Sequence, residues 1–269
     1  MCTVAGSLPQ VVGAVPCPAL TARNSPARDL PRGASTAMRR AAGIGALYIV
    51  GHDVLRRTAL SLLAAPHKDA GDTPRWRALV TLWPQLVCLP LATAAAAAGH
   101  RWSLRAWCDA CATRRLSMSE LSLIVIFASV MVIDLAYALV YWPLTILRPT
   151  MVAHHLVCLA GHAYAVLLGP RSALPCFLCA VTALEMGSAL SNCFYMEPTL
   201  PIVRSAFLVG MSSSNAASAL LTLAWERRAA DGGLPRLARW LPLGVSTILI
   251  AMRQETVVRQ VPPGSVLQW

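Results

Sequence analysis

The chain has 269 residues, 56% of them hydrophobic and 13% charged, and carries a net charge of +11. Soluble domains average about 45–50% and about 25% on the same two counts. With a mean hydropathy of +0.56, composition excludes an ordinary soluble enzyme. It points to an all-α polytopic membrane helix bundle. The Lys and Arg fall between apolar runs rather than on a basic stripe with interleaved aromatics. Such charge orients helices and meets lipid head groups, so nucleic acid is not an expected partner.

Residues 1–40 cannot build a core, having five prolines, five arginines and a single acid, Asp29. They read either as a disordered tail or as an Arg-rich, acid-poor targeting segment. A transmembrane domain is expected over 41–255, followed by a short tail, 256–269. Seven apolar segments lie within it: about 41–63, 78–98, 121–141, 150–168, 175–193, 203–225 and 240–252. A span needs ~20 apolar residues, which the first and last fall short of, so six to seven spans are expected. Trp76, Trp102, Trp142, Trp225 and Trp240 stand near segment ends, where interfacial anchors belong. With seven spans, 14 of the 23 Lys and Arg lie on the side of the N-terminus. The positive-inside rule makes that side cytosolic.

Two CxxC pairs, Cys108–Cys111 and Cys176–Cys179, have no further Cys or His at ligand spacing in sequence. No metal site is expected from them. Six histidines without HxxHH-like boxes also fall short of a membrane di-iron site.

Ionisable residues inside apolar segments are costly and mark function. At 1.5 Å per residue, measured from the 142–150 connection, Asp134 lies ~12 Å deep and His154 and His155 ~6–8 Å. Glu185 lies ~13 Å deep by the same measure, while His162 sits far deeper, at ~18 Å. Asp134, Tyr137 and Tyr141 are spaced i, i+3, i+7, and so are Glu185, Ser188 and Asn192. Each trio forms one stripe on a helix. Facing stripes imply a polar pocket that holds the His pair. Hydrogen-bonding glue between helices explains Ser212–Asn215 as well as a pocket does. It accounts less well for two carboxylic acids. Adjacent helical residues point ~100° apart. One histidine is therefore expected to do chemistry, as base or nucleophile, and the other to position it.

"DLAYALVY" (Asp134, Tyr137, Tyr141), "HH" (His154, His155) and "LEMGSALSN" (Glu185, Ser188, Asn192) resemble, in that order, the motifs of the TLC-domain family. That family includes ceramide synthases, the translocating-chain-associating membrane protein and smaller TLC-domain-containing proteins. The resemblance covers about 75–255. It implies a multi-pass protein of the endoplasmic reticulum, or of another organellar membrane, acting on membrane lipids. His154 and His155 would be catalytic with Asp134 in support, and Tyr137, Tyr141, Glu185, Ser188 and Asn192 would line the substrate site. The implied reaction is acyl transfer from acyl-CoA, a co-substrate rather than a bound cofactor, to a lipid amine or hydroxyl. The chain departs from the synthases in lacking a homeobox-like domain. It also has Trp83-Pro84 where the family more often shows a polar element, and Gly187 where Ser is common. It stands nearest the smaller TLC-domain proteins. The alternative function is a non-enzymatic lipid-binding regulator or cargo receptor.

Overall fold

A computed structural model describes residues 32–62, 75–141 and 149–260 of the chain. Among them every regular element is helical: α1 (Arg32–Leu62), α2 (Arg75–Leu82), α3 (Leu89–Ala98), α4 (Leu104–Thr113), α5 (Met118–Tyr141), α6 (Pro149–Leu167), α7 (Leu174–Met196), α8 (Pro201–Asp231) and α9 (Arg236–Arg259). A π-helical stretch, Trp83–Cys88, joins α2 to α3 in one rod. The first helix starts at Arg32, inside the stretch 1–40.

Four stretches are long and apolar enough to cross a membrane: Ala78–Ala98, Met118–Ala136, Arg171–Met196 and Pro201–Asp231. The α6 core, Val152–Leu167, is apolar but shorter. The polarity of these helices is inverted relative to a soluble bundle. Leu47, Leu91, Leu167, Ile202 and Leu220 are exposed on the outside, while His52, Gln85, Glu120, Glu185 and Asn215 are buried. Lipid tails solvate an apolar exterior, so polar groups are the ones driven inward to find partners. The chain is an integral membrane protein by this pattern.

Packing divides into three clusters. The largest gathers Tyr48 of α1, Leu89 of α3, Trp107 of α4, Leu123 and Phe127 of α5, and Leu178 of α7. A second, at the α4 end, holds Cys108, Cys176, Trp225 and Ala229. A third, at the opposite end, holds Phe194, Phe207, Met211 and Val257. Helices α7 and α8 pack closely through glycine. A Cβ on Gly210 would lie 2.0 Å from Leu190 Cδ1.

Two expectations change here. Trp225 is not an interfacial anchor: it is buried in the α4-end cluster. Trp102 and Trp240 are exposed as anchors would be, and Trp76 and Trp142 lie outside the described side chains. The two CxxC pairs are separate in sequence but not in space, since Cys108 Sγ lies 3.6 Å from Cys176 Sγ. Even so, no group of three or more His, Cys, Asp or Glu among the described residues is placed to hold a metal ion.

Candidate intramembrane site

The π turn is the first device that builds the site. Pro84 has no N–H to give, and the Leu89 N–H reaches back to the Pro84 carbonyl, five residues away. A wider turn of this kind re-aims side chains and frequently accompanies function. Here it buries Gln85 against α7. Gln85 Nε2 donates to Glu185 Oε2 at 2.8 Å. Gln85 Oε1 accepts from Asn192 Nδ2, also at 2.8 Å. One amide therefore ties together two members of the predicted α7 stripe.

The third member, Ser188, is engaged by α9. Arg253 Nη1 donates to Ser188 Oγ at 2.6 Å, Nη2 to the Leu184 carbonyl at 2.8 Å, and Nε to Asn215 Oδ1 at 2.9 Å. Asn215 Nδ2 in turn donates to Gln254 Oε1, and Gln254 Nε2 to Ser212 Oγ, both at 3.1 Å. The guanidinium fork is thus saturated by neutral acceptors from α7 and α8. Ser212 and Asn215 act as the interhelical glue that their position suggested.

On α5 and α6, His155 is buried and its Nε2 lies 3.4 Å from Asp134 Oδ2. His154 turns away from Asp134. Its ring sits edge-on to that of His155, with centroids 5.5 Å apart, and contacts Cys158 Sγ at 3.7 Å. The helical offset separates the pair as expected: one imidazole is held by the carboxylate and the other is directed elsewhere. Asp134 and His155 are close enough to Glu185 to act on it electrostatically, as is Arg253. Four helices therefore converge on one group of side chains. His52 of α1 joins them, since it is buried and within electrostatic reach of Asp134. Asp53 does not join, because its carboxylate binds Arg56 and Arg57 on its own helix. Tyr137 and Tyr141 lie on α5, but their side chains are outside the described residues.

His154 opens onto a cavity of about 80 Å³ between α6, α7, α8 and α9. One end carries His154, Glu185 and Arg253. The walls run inward along Val157, Leu184 and Leu249 to Phe177, His162 and Trp225. His162 Nε2 meets the Ile124 carbonyl at 3.0 Å, and its ring packs between Phe127 and Phe177. It belongs to the inner end of the cavity and not to the Asp134 group.

Sequence reasoning missed Gln85 and Arg253. The signal for Gln85 was a lone amide in the apolar run "WPQLVCLP". Arg253 falls just past the seventh apolar segment, whereas α9 runs on to Arg259 and carries it inside. A second polar centre was also missed. Glu120 is fully buried at the start of α5 and accepts from Trp107 Nε1, Cys111 Sγ, the Ser117 N–H and both terminal nitrogens of Arg114. Burial, reinforced by this carboxylate, pushes the Cys111 thiol up to about 12. Every partner is satisfied within the protein, which makes this centre a clamp for α4.

No family model, curated protein or solved structure matches the chain.

Proposed function

We propose that this protein acts in membrane lipid metabolism, with only the reacting head group of a lipid entering the small cavity beside His154 while its chains stay in the bilayer, and with an acyl group transferred there from acyl-CoA to the lipid amine or hydroxyl. The observation that carries the reading is the division of labour in the His pair. His155 is committed to Asp134, while His154 faces a cavity that is polar at one end and apolar along its walls. In this scheme His154 accepts the proton of the attacking amine or hydroxyl as the new bond to the acyl carbon forms. The thioester C–S bond then breaks, and the imidazolium returns the proton to the departing thiolate. The carboxylate of Asp134 fixes the orientation of His155, and the edge-on ring contact passes that constraint to His154. The proposal carries with it a kinship to TLC-domain proteins, six to seven spans and a location in the endoplasmic reticulum.

A second reading is lipid binding without transfer. It is favoured by the saturation of Glu185 and Arg253 by protein partners, which leaves them as framework. The experiment that separates the two is a lipidome of cells expressing wild type, His154→Ala or His155→Ala at equal abundance. Acyl transfer predicts that His154→Ala removes a lipid change made by wild type. If both variants retain the full change, catalysis by the pair is lost.

A further inference from the structure

A second cavity, of about 350 Å³, lies between α4, α7 and α8 at the α4 end. That volume is in the range of small-molecule sites. Leu220, Leu223, Arg227 and Asp231 of α8 give it one wall. Their spacing of i, i+3, i+7 and i+11 sets them in a single stripe on that helix. Leu104 and Arg105 of α4 stand on the facing side. Cys108 and Cys176, whose Sγ atoms lie 3.6 Å apart, close the floor.

The stripe changes character along its length. Leu220 and Leu223 are 69% and 46% exposed, on a stretch long and apolar enough to cross a membrane, so they face acyl chains. Arg227 stands two turns beyond Leu220, or ~10 Å along the helix. There Arg105, Arg227 and Arg228 line the cavity with one acid, Asp231. Arg228 Nη1 donates to Asp109 Oδ1 of α4 at 2.8 Å, which ties the two walls together. Arg105 Nε lies 4.0 Å from the same carboxylate. Arg227 is exposed and has no hydrogen bond or ion pair among the described residues. Even with Asp109 counted, the three arginines exceed the acids by one charge.

We propose that this cavity binds the head group of an anionic phospholipid, with the phosphate at the arginine rim and the acyl chains outside along Leu220 and Leu223. Charge and apolar surface select the occupant together. A free phosphate would answer the arginines alone and gain nothing from the leucines. A zwitterionic lipid would bring a further cation to a rim that is already positive. Basic pockets between helices on the cytoplasmic side take head groups of this kind. The cavity shares no lining residue with the one beside His154. The inference therefore goes beyond the function proposed above and does not depend on it.

The test uses the full chain in a neutral detergent, titrated with phosphatidylglycerol, phosphatidylcholine or soluble glycerol phosphate. Binding is read by native mass spectrometry. Phosphatidylglycerol should bind most tightly and weaken as salt rises, and glycerol phosphate should not bind. Arg227→Gln should lower the phosphatidylglycerol affinity about fivefold, the factor for one basic residue at an anionic membrane surface. Asp231→Asn should raise it. Arg115→Gln, at the same end but off the cavity, should leave it nearly unchanged. All three side chains are exposed, so none of these variants threatens the fold. Equal affinity for the two lipids, or an unchanged affinity in Arg227→Gln, overturns the proposal. So does an equal loss in Arg115→Gln, which would mean a diffuse positive field rather than a site. Binding of glycerol phosphate as tight as that of the lipid overturns a lipid as the occupant.

Discussion

Arg253 Nη1 donates to Ser188 Oγ at 2.6 Å, and it can reach that far across the α7–α9 interface because residue 187 is glycine. A Cβ at Gly187 would lie 1.9 Å from Ser214 Oγ and 2.7 Å from Arg253 Nη2. Gly187→Ala should therefore push α8 and the guanidinium away. We expect a net loss of about 1–3 kcal/mol, since overpacking costs that much and exceeds the helix-propensity gain of alanine. Gly244, where an added Cβ would meet nothing within 4 Å, is the control on α9. Gly244→Ala should leave stability unchanged or raise it. Thermal unfolding of the two variants in detergent decides the matter. Glycine at position 187 thus has a physical reason: the space serves an arginine.

The Gln85 amide bridges Glu185 and Asn192 with both of its polar atoms. Gln85→Leu leaves a buried carboxyl and a buried amide without their partner and should cost about 2–3 kcal/mol. Glu185→Gln retains an oxygen that can accept from Gln85 Nε2 and should cost less than about 1 kcal/mol. Thermal melts give the order of the two. If Glu185→Gln were the more damaging, the Glu185 charge and not its hydrogen bond would be what α7 requires.

These networks show where sequence reasoning reached and where it stopped. That Asp134, His155 and Glu185 come near one another was legible because rise per residue is fixed within a helix. The separation of His154 from His155 followed from the same geometry. Partner choice was not legible. Gln85 reaches Glu185 only because a π turn at Pro84 rotates it inward, and that turn has no periodic signature. Arg253 lies just past the seventh apolar segment, 240–252, in a place where an arginine ordinarily marks a helix end. Trp225 followed the anchor pattern in sequence, yet tertiary packing against Cys176 and Ala229 buries it.

The Glu120 clamp predicts slow thiol chemistry in α4. Cys111 is 1% exposed, and its thiol is pushed up to about 12 by burial and by the adjacent carboxylate. Only the thiolate attacks an alkylating agent, so at pH 7 to 8 the reactive fraction is very small. Raising the pH should increase the labelling rate about tenfold per unit across the range in which the fold persists. Glu120→Gln removes the charge that opposes thiolate formation and should speed labelling at fixed pH. The readout is mass spectrometry of the Cys111 peptide after iodoacetamide treatment. Rapid labelling of the wild type at neutral pH would mean that α4 opens away from α5.

Among the described residues, the α4 end of the bundle gathers twelve arginines, at positions 32, 39, 40, 101, 105, 114, 115, 171, 227, 228, 236 and 239, against the acids Asp109, Glu120, Glu226 and Asp231. At the other end, Arg56, Arg57, Arg75, Arg77, Arg204 and Arg259 stand against Asp53, Glu197 and Glu255, a smaller positive excess. Positive loops stay cytosolic, so the α4 end should face the cytosol. A glycosylation acceptor tag inserted in the α7–α8 connection, 197–200, should be glycosylated, whereas the same tag in the α8–α9 turn, 232–235, should not. The reverse pattern would show that the charge bias does not set the topology. The outcome also bears on chemistry. Glu185, Arg253 and His154 mark the cavity end farther from α4. A cytosolic α4 end places His154 in the opposite half of the membrane, so the acyl-transfer reading then requires the acyl donor to reach His154 from that side. The inverted orientation brings His154 to the cytosolic half and strengthens transfer.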